Sequence, residues 1–304
     1  MSAPHRPLLN SLRRLAWLLA ACLLAPLAAQ ATMVRLYTTL GPVDIQLLDA
    51  EAPATVANFL GYVNRRDYDN TFIHRSIPGF IVQGGGYTWT DGVGLASVPA
   101  QPPVVNEFSA TRSNLRGMVA MAKIGANPPT PASINSATNQ WFINLADNAS
   151  NLDRQNGGFT VFGRVTAPGM AVVDAMAALQ VVNAQGVFAN LPLISQPVGA
   201  VRRTDLLMVD SVVELLAPAS DADRLFNYLE AAFASLLKPP GTVSATANAG
   251  GTDYYFRFYP ASNSFVAVGV ADNVLYYLVP AAGGDIVRVA PLPELMGLVT
   301  QAGY

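Results

Sequence analysis

The residues best suited to chemistry lie in one stretch, Thr71-Phe72-Ile73-His74-Arg75-Ser76-Ile77-Pro78-Gly79-Phe80-Ile81-Val82-Gln83-Gly84-Gly85-Gly86. It offers a cation, Arg75, an amide, Gln83, and several apolar groups bracketed by turn residues. It has no paired carboxylates for acid–base work and no cluster of metal-ligating residues. Chemistry done with such a set works by binding and hydrogen bonding. A guanidinium stays charged and presents its N–H groups in a rigid fork, which makes Arg75 the natural donor. Most arginines are solvated surface residues, but this one sits in an otherwise apolar segment. His74 is tempting as a base. In a strand, neighbouring side chains point to opposite faces, so His74 is read as structural and turned away from Arg75. Gly84–Gly86 precedes neither Gly-Lys-Ser/Thr nor a helix start, which disfavours phosphate binding.

The elements that position this stretch are legible from periodicity. Val43, Ile45 and Leu47 alternate with Asp44 and Gln46, predicting a half-buried strand after the Gly41-Pro42 turn, with Val34–Thr39 as its hairpin partner. A helix opens at Pro53 and places Val56, Phe59, Leu60 and Val63 on one face. Further strands are expected over 117–123, 139–145, 159–166 and 205–216, and a second helix after Pro168 carries Val172, Met176 and Leu179. Residues 88–106 and 124–138, rich in Gly and Pro, read as irregular surface loops. Many short strands with two amphipathic helices favour a barrel whose ends the helices close.

Composition shifts after Leu216. Ser220 is expected to cap a helix running to Leu237, with Leu225, Phe226, Leu229 and Phe233 as its buried stripe. Gly241–Gly251 reads as a mobile loop, followed by strands over 253–259, 264–270 and 274–279 and a short helix from Pro293. The aromatics Tyr254-Tyr255-Phe256 and Tyr276-Tyr277 fill the two faces of a small sheet, with a glycan or cell-envelope partner as the alternative.

At 304 residues the chain has room for one large or two modest domains. Half its residues are apolar and 12% charged, which argues against disorder; with a net charge of −2 and no basic run after residue 14, nucleic acid is an unsuitable partner. Residues 1–31 read as an export signal: Arg6, Arg13 and Arg14, an apolar run from Leu15 to Ala29, then Ala29-Gln30-Ala31 for cleavage. The run is shorter than the roughly 20 residues a bilayer span wants. The alternative is lipid attachment at Cys22 within Leu19-Ala20-Ala21-Cys22. Cleavage after Ala31 removes the only Cys and one of two His, leaving no His-rich metal site. The mature chain is expected in the periplasm or outside the cell, without a membrane span.

The Ile73–Gly85 segment resembles the cyclophilin family of peptidyl-prolyl isomerases, where it reads roughly Phe-His-Arg-x-Ile-Pro-Gly-Phe-x-x-Gln-Gly-Gly; Ile73 replaces the first Phe. Three more blocks follow in the family's order: Gly117–Ala122, Ser136–Asn144, and Leu152-Asp153 with Phe159–Gly163. The likeness covers about Val34 to Leu216. It implies a mainly β fold, a cyclophilin-like closed antiparallel β-barrel with two capping helices over 32–216, while the elements read above make residues 217–304 a small α+β C-terminal domain. It implies rotation of X-Pro amides, whose barrier is about 18–20 kcal/mol, in proline-containing, unfolded or partly folded polypeptides, with no cofactor or metal.

By the same likeness Arg75 polarises the prolyl nitrogen, with Phe80 and Gln83 beside it. Ile81, Phe142, Leu152 and Phe159 line the proline pocket with Phe80, and Ala122, Lys123 and Gln140 contact the substrate alongside Gln83. Ordinary core packing is the alternative for the apolar residues. The chain departs from the family at Ile81, often Met; at Lys123, often Asn; at Asn151, often aromatic; and at Phe159, His in some members. Asn151 implies weak inhibition by cyclosporin, and an insertion over 124–135 alters access to the groove. A chaperone-like module that grips proline segments with little catalysis is the competing expectation.

Overall fold

In strand β1 (Met33–Thr38) Val34 and Leu36 face a common interior, and in its hairpin partner β2 (Gly41–Leu47) Val43, Ile45 and Leu47 do the same. This is the two-residue period of a sheet with one apolar face. The computed structural model describes residues 31–271, 274–278 and 286–304. The expected export signal with Cys22, the turn expected at Asp272-Asn273 and the side chains of Tyr276 and Tyr277 lie outside the described residues. Thr32–Tyr304 forms one compact unit.

After β2 come α1 (Pro53–Asn64), β3 (Thr71–Phe72), β4 (Arg75–Ile77), β5 (Ile81–Gly84), β6 (Tyr87–Thr90), β7 (Gly94–Ser97) and β8 (Met118–Met121). Then follow α2 (Pro131–Ile134), β9 (Trp141–Asn144), α3 (Ala149–Leu152), β10 (Val161–Val165), α4 (Ala167–Ala177), β11 (Gln180–Val182), β12 (Leu191–Leu193) and β13 (Met208–Leu215). The main sheet runs β4-β5-β9-β8-β10-β2-β1-β13-β3-β6-β7, antiparallel throughout. β3 and β4 are two halves of one extended segment: Phe72 pairs with Met208 of β13, and Arg75 pairs with Gln83 of β5. Between them Ile73 N donates to Leu207 O at 2.9 Å and His74 N to Gln83 O at 3.2 Å.

The interior is filled from both helices and from inward strand positions. Val56, Phe59 and Val63 of α1 and Val173 and Met176 of α4 share one cluster with Val82, Val119, Ile143 and Phe162. The rings of Phe59 and Phe162 lie 5.1 Å apart. Helix α1 lacks a side-chain cap at Ala52; Glu107 supplies one from 53 residues away, accepting from Ala54 N at 3.1 Å and Thr55 N at 2.8 Å.

Two stretches expected to be irregular hold structure. Within 88–106, β6 and β7 form a hairpin, because Tyr87, Thr88, Trp89 and Thr90 favour strand and Gly92 and Gly94 adopt the positive φ of its turn. Within 124–138, α2 is opened by a Thr130–Ser133 capping box.

Residues after Leu216 form α5 (Asp221–Ala232), α6 (Ala234–Leu237), a five-stranded sheet of β14 (Thr242–Ala249), β15 (Thr252–Tyr259), β16 (Ser264–Ala271), β17 (Val274–Leu278) and β18 (Ile286–Pro291), and α7 (Leu292–Gln301). The single helix expected to Leu237 breaks at Phe233 (φ −122°, ψ 36°), which leaves that ring about half exposed rather than in the buried stripe. The expected loop 241–251 is instead edge strand β14: its run of small residues gives no periodic signal, and pairing with β15 supplies the order. Tyr255 and Tyr259 face the module's core with Leu225, Phe226 and Val268, while the rings of Tyr254 and Phe256 lie 6.5 Å apart, tilted by 40°.

Asp44, expected on the solvent side of a half-buried strand, is fully buried. Arg35 lies directly across from it, with Nε donating to Asp44 Oδ1 at 2.6 Å and Nη2 to Oδ2 at 2.7 Å. Residues from α5 cover this pair: Arg35 Nη1 donates to Glu230, and Nη2 to Asn227 O at 2.9 Å. Arg257 Nη1 donates to the other oxygen of Glu230 at 2.9 Å, and the Tyr304 hydroxyl donates to Asp44 Oδ2 at 2.6 Å. Burial pushes the Tyr304 phenol well up, so it remains a donor. The outer face of β1 and β2 is therefore sealed by the C-terminal segment through charge-assisted bonds.

Breaking one side of such a cluster strands a buried cation. Glu230→Ala is expected to cost about 3–5 kcal/mol in urea unfolding, against about 1 kcal/mol for Tyr304→Phe. A Glu230→Ala midpoint no lower than that of Tyr304→Phe would contradict this reading.

Candidate active site

The sheet register places the candidate residues in a row. Arg75 pairs with Gln83, Gln83 with Phe142, Phe142 with Ala120, and Ala120 with Val161. Paired residues share a face, so this row looks outward while the next, Ser76, Val82, Ile143 and Val119, looks inward. On the outward face Ile81, Ala120, Phe142, Leu152 and Val161 form an apolar cluster with Phe80, Ala122 and Phe159 against it. The Phe142 and Phe159 rings meet edge to face at 5.8 Å.

A cleft of about 420 Å³ opens over this row. All ten residues expected from the sequence line it: Arg75, Phe80, Ile81, Gln83, Ala122, Lys123, Gln140, Phe142, Leu152 and Phe159. Phe142, Ile81 and Leu152 are nearly buried and make its floor, while Phe80 and Phe159 stand half exposed as walls. A smaller side pocket of about 140 Å³ shares Gln83, Ala122, Lys123 and Gln140, and adds Ser136 and Thr138.

Arg75 is half-buried, and burial lowers its pKa from the ordinary guanidinium value. Its Nη1 donates to Gln83 Oε1 at 3.1 Å, and Gln83 Nε2 donates to Gln140 Oε1 at 2.8 Å. The partner is a neutral amide, which aims the guanidinium without cancelling its charge. Lys123 Nζ donates to Asn156 O at 2.8 Å and Gly158 O at 2.6 Å, and lies 4.9 Å from the Phe159 ring centroid. Burial lowers its pKa from 10.5 to about 8.

Glycine is required at Gly85, which holds φ +82°; a Cβ there would lie 2.5 Å from Asn139 O and 2.8 Å from Trp141 Nε1. The triple glycine thus lets β5 turn tightly over Trp141. Behind Phe80 runs a ladder of buried amides. Asn148 Nδ2 donates to Phe80 O and Asn144 Oδ1, both at 2.9 Å. Asn144 Nδ2 donates to Met118 O at 3.0 Å, and Asn114 Nδ2 to Asp153 Oδ1 at 2.8 Å and Phe159 O at 3.0 Å. These amides fix the backbone of both walls, and the sequence reading missed them. The available signal was Asn144 inside the apolar run Trp141–Ile143, where a buried amide needs partners.

His74, turned away from Arg75 in the sequence reading, lines the same cleft, and the reading also missed Tyr87, Gln155, Gly186, Val187, Ala189 and Asn190, which complete it. The last four lie on a short 3₁₀ turn and the residues after it, beside β4, with Ser76 N donating to Asn190 O at 2.8 Å. Asn151 is exposed and accepts from Gln155. His74 is buried against Tyr87, rings edge to face at 5.0 Å, and its Nδ1 has no hydrogen-bond partner. Burial, then the charge on Arg75, lowers its pKa from 6.5 to about 4. Among the described residues no group of three or more His, Cys, Asp or Glu is placed to hold a metal ion, and no helix is long and apolar enough to cross a membrane.

The geometry is that of a binding cleft with a half-buried guanidinium held by an amide. Residues 33–196 match the family described as Cyclophilin type peptidyl-prolyl cis-trans isomerase/CLD. The chain is 40% identical over 173 residues to peptidyl-prolyl cis-trans isomerase A of Dickeya dadantii, covering 56% of this chain and 83% of that one. It is 38% identical over 188 residues to a peptidyl-prolyl cis-trans isomerase of Acinetobacter baylyi, covering 62% and 92%. A solved cyclophilin type isomerase from Cryptosporidium parvum aligns with a TM-score of 0.46 at 23% identity, over 62% of this chain and 99% of that one. The chain therefore belongs to the cyclophilin-type peptidyl-prolyl cis-trans isomerases. It is an isomerase of X-Pro bonds.

Because the fold holds His74 neutral, the unfolded chain takes up a proton that the native chain refuses between its unfolded pKa of 6.5 and about 4. That part of the stability is intact above about pH 6.5 and is lost as pH falls toward 4. Urea midpoints measured from pH 7 to 4.5 should fall for the wild type and fall less for His74→Gln. Equal slopes would show that His74 does not titrate in this way.

Proposed function

We propose that Arg75 accelerates rotation by donating toward the prolyl nitrogen of a bound X-Pro segment. The resonance that makes the C–N bond partly double draws on that nitrogen's lone pair. An N–H placed against the nitrogen favours a pyramidal geometry and localises the pair. The barrier falls without any bond breaking. The proline ring rests on Phe142, Ile81 and Leu152 between Phe80 and Phe159, which holds one side of the amide while the other turns. Gln83 orients Arg75, and with Gln140, Ala122 and Lys123 it borders the path of the substrate backbone.

The observation that carries this reading is the half-buried Arg75 cation, bonded to a neutral amide and set at the edge of an apolar cleft. A module that only gripped proline would use the same apolar floor; the aimed cation is the feature that favours catalysis. The same reading takes the main sheet as a closed barrel, its circuit completed by the Thr71–Ile77 segment. Residues 1–31 act as an export signal, the chain works in the periplasm or beyond it, and its clients are exported polypeptides before or during folding. Residues 217–304 serve as a brace for β1 and β2, a role that calls for no glycan or envelope partner.

Removing a preorganised donor from a site of this kind costs about 10²–10³ in rate. In a protease-coupled assay on a short Xaa-Pro peptide, Arg75→Ala should lose a factor of that order in kcat/KM, and Arg75→Lys should recover only part of it, since a point charge lacks the fork. Turnover of Arg75→Ala equal to the wild type would refute the assigned role.

A further inference from the structure

We propose that Lys123 is a positioning residue whose ammonium clamps the Asn156–Phe159 turn and thereby sets the wall of the proline pocket. The inference rests on reading the cleft as the proline site. Lys123 lies two residues past β8, with Ala122 N bonded to Gln140 O at 2.9 Å, so its backbone belongs to the sheet. Its side chain reaches across to a different segment, 33 and 35 residues on. Two of the ammonium's three donors go to Asn156 O and Gly158 O, and the charge sits 4.9 Å from the Phe159 ring centroid. The carbonyl between them, Gly157 O, accepts from Asn106 Nδ2 at 2.8 Å. Three successive backbone carbonyls are thus taken by side chains immediately before Phe159. Phe159 N in turn donates to Leu152 O at 3.1 Å, so both pocket residues move with the turn.

The insertion over 124–135 braces the same turn from behind. Asn156 Nδ2 donates to Ile124 O at 3.0 Å and Ser133 O at 3.1 Å, and Ser133 Oγ donates to Asn156 Oδ1 at 2.8 Å. Ile134 packs against Gly157, where a Cβ would come within 3.1 Å of it. Lys123 and the insertion grip one short segment from two sides, and what that segment carries is the Phe159 ring.

This arrangement has a pH signature. Burial lowers the Lys123 pKa to about 8. The charged and titratable groups on the elements around it are His74, Arg75 and Tyr87 in the cleft, with Asp153 and Arg154 on the segment leading to Asn156; residues 124–136 contribute none. Asp153 is engaged by Asn114. Above about pH 8 the amine is a weaker donor with no cation–π attraction, so the clamp loosens as pH rises. Amide rotation itself transfers no proton, which leaves the pocket as the step that responds.

The test is a protease-free exchange assay by NMR on the full chain with a short Xaa-Pro peptide, over roughly pH 6.5 to 9.5. Wild-type KM should be flat near neutrality and rise about tenfold above pH 8, with kcat changed far less. Lys123→Met should show the high KM throughout, and Lys123→Arg should keep the low KM with no alkaline rise, because its charge does not titrate. Asn156→Gly, which suits that residue's positive φ and leaves Lys123 in place, should raise KM at neutral pH. A Lys123→Met KM equal to the wild type, or an alkaline rise that persists in Lys123→Arg, overturns the clamp. The second criterion still decides if Lys123→Met fails to fold. Full activity in Arg75→Ala sinks the reading of the cleft itself, whereas an inactive Arg75→Ala beside a wild-type Lys123→Met sinks only the clamp.

Discussion

Everything at the cleft depends on register along the Thr71–Ile77 segment. A strand has a period of two residues, so a slip of one would send Arg75 inward and Ser76 outward, and would do the same to Gln83 and Phe142 through their pairings. The segment is pinned twice, by β13 at its first half and by β5 at its second. The inward side chains Val82 and Ile143 are buried in the main cluster, and a slip would expose them. The hydrophobic interior therefore does more than stabilise the sheet. It decides which face the guanidinium occupies.

The outward face is put to two uses. Over β5, β9 and β8 it is left partly open, roofed only by the short helix with Leu152 and the turn with Phe159. Over β1 and β2 it is closed by residues beyond 216, which bury Arg35 and Asp44 in a network of two arginines, two carboxylates and two tyrosines. Burying such charges is tolerable only when each has partners, and here bidentate and shared contacts supply them. The C-terminal segment thus completes the unit rather than hanging from it.

Much of the cleft was legible in sequence because its residues sit in short, ordered blocks. Arg75 stands out as the one cation in an apolar, turn-bounded stretch, while Ile81, Gln83 and Phe142 follow from the resemblance of their blocks to the cyclophilin family. What was not legible depends on contacts between distant segments. Nothing near Lys123 shows that its acceptors are backbone carbonyls of residues 156 and 158, and nothing in Asp44 shows that Tyr304 will reach it. The β14 strand was missed for a related reason: Ser, Ala and Thr carry little pattern, so pairing with β15 decides its state. Phe233 was misplaced because helical spacing continues through it while the backbone does not.

Arg35 and Arg75 show how the same side chain is directed to two ends. Arg35 has two carboxylates and a carbonyl around it, and its charge is spent on holding the C-terminal segment in place. Arg75 has the partial shelter of the cleft but only an amide to hold it. An amide holds a guanidinium less tightly than a carboxylate does, yet it leaves the field intact for a ligand. A carboxylate in place of Gln83 would neutralise that field, and full exposure would let water screen it. Half-burial with a neutral partner is the intermediate condition in which a cation remains both aimed and available, which is what the polarisation of an amide nitrogen proposed for Arg75 would require.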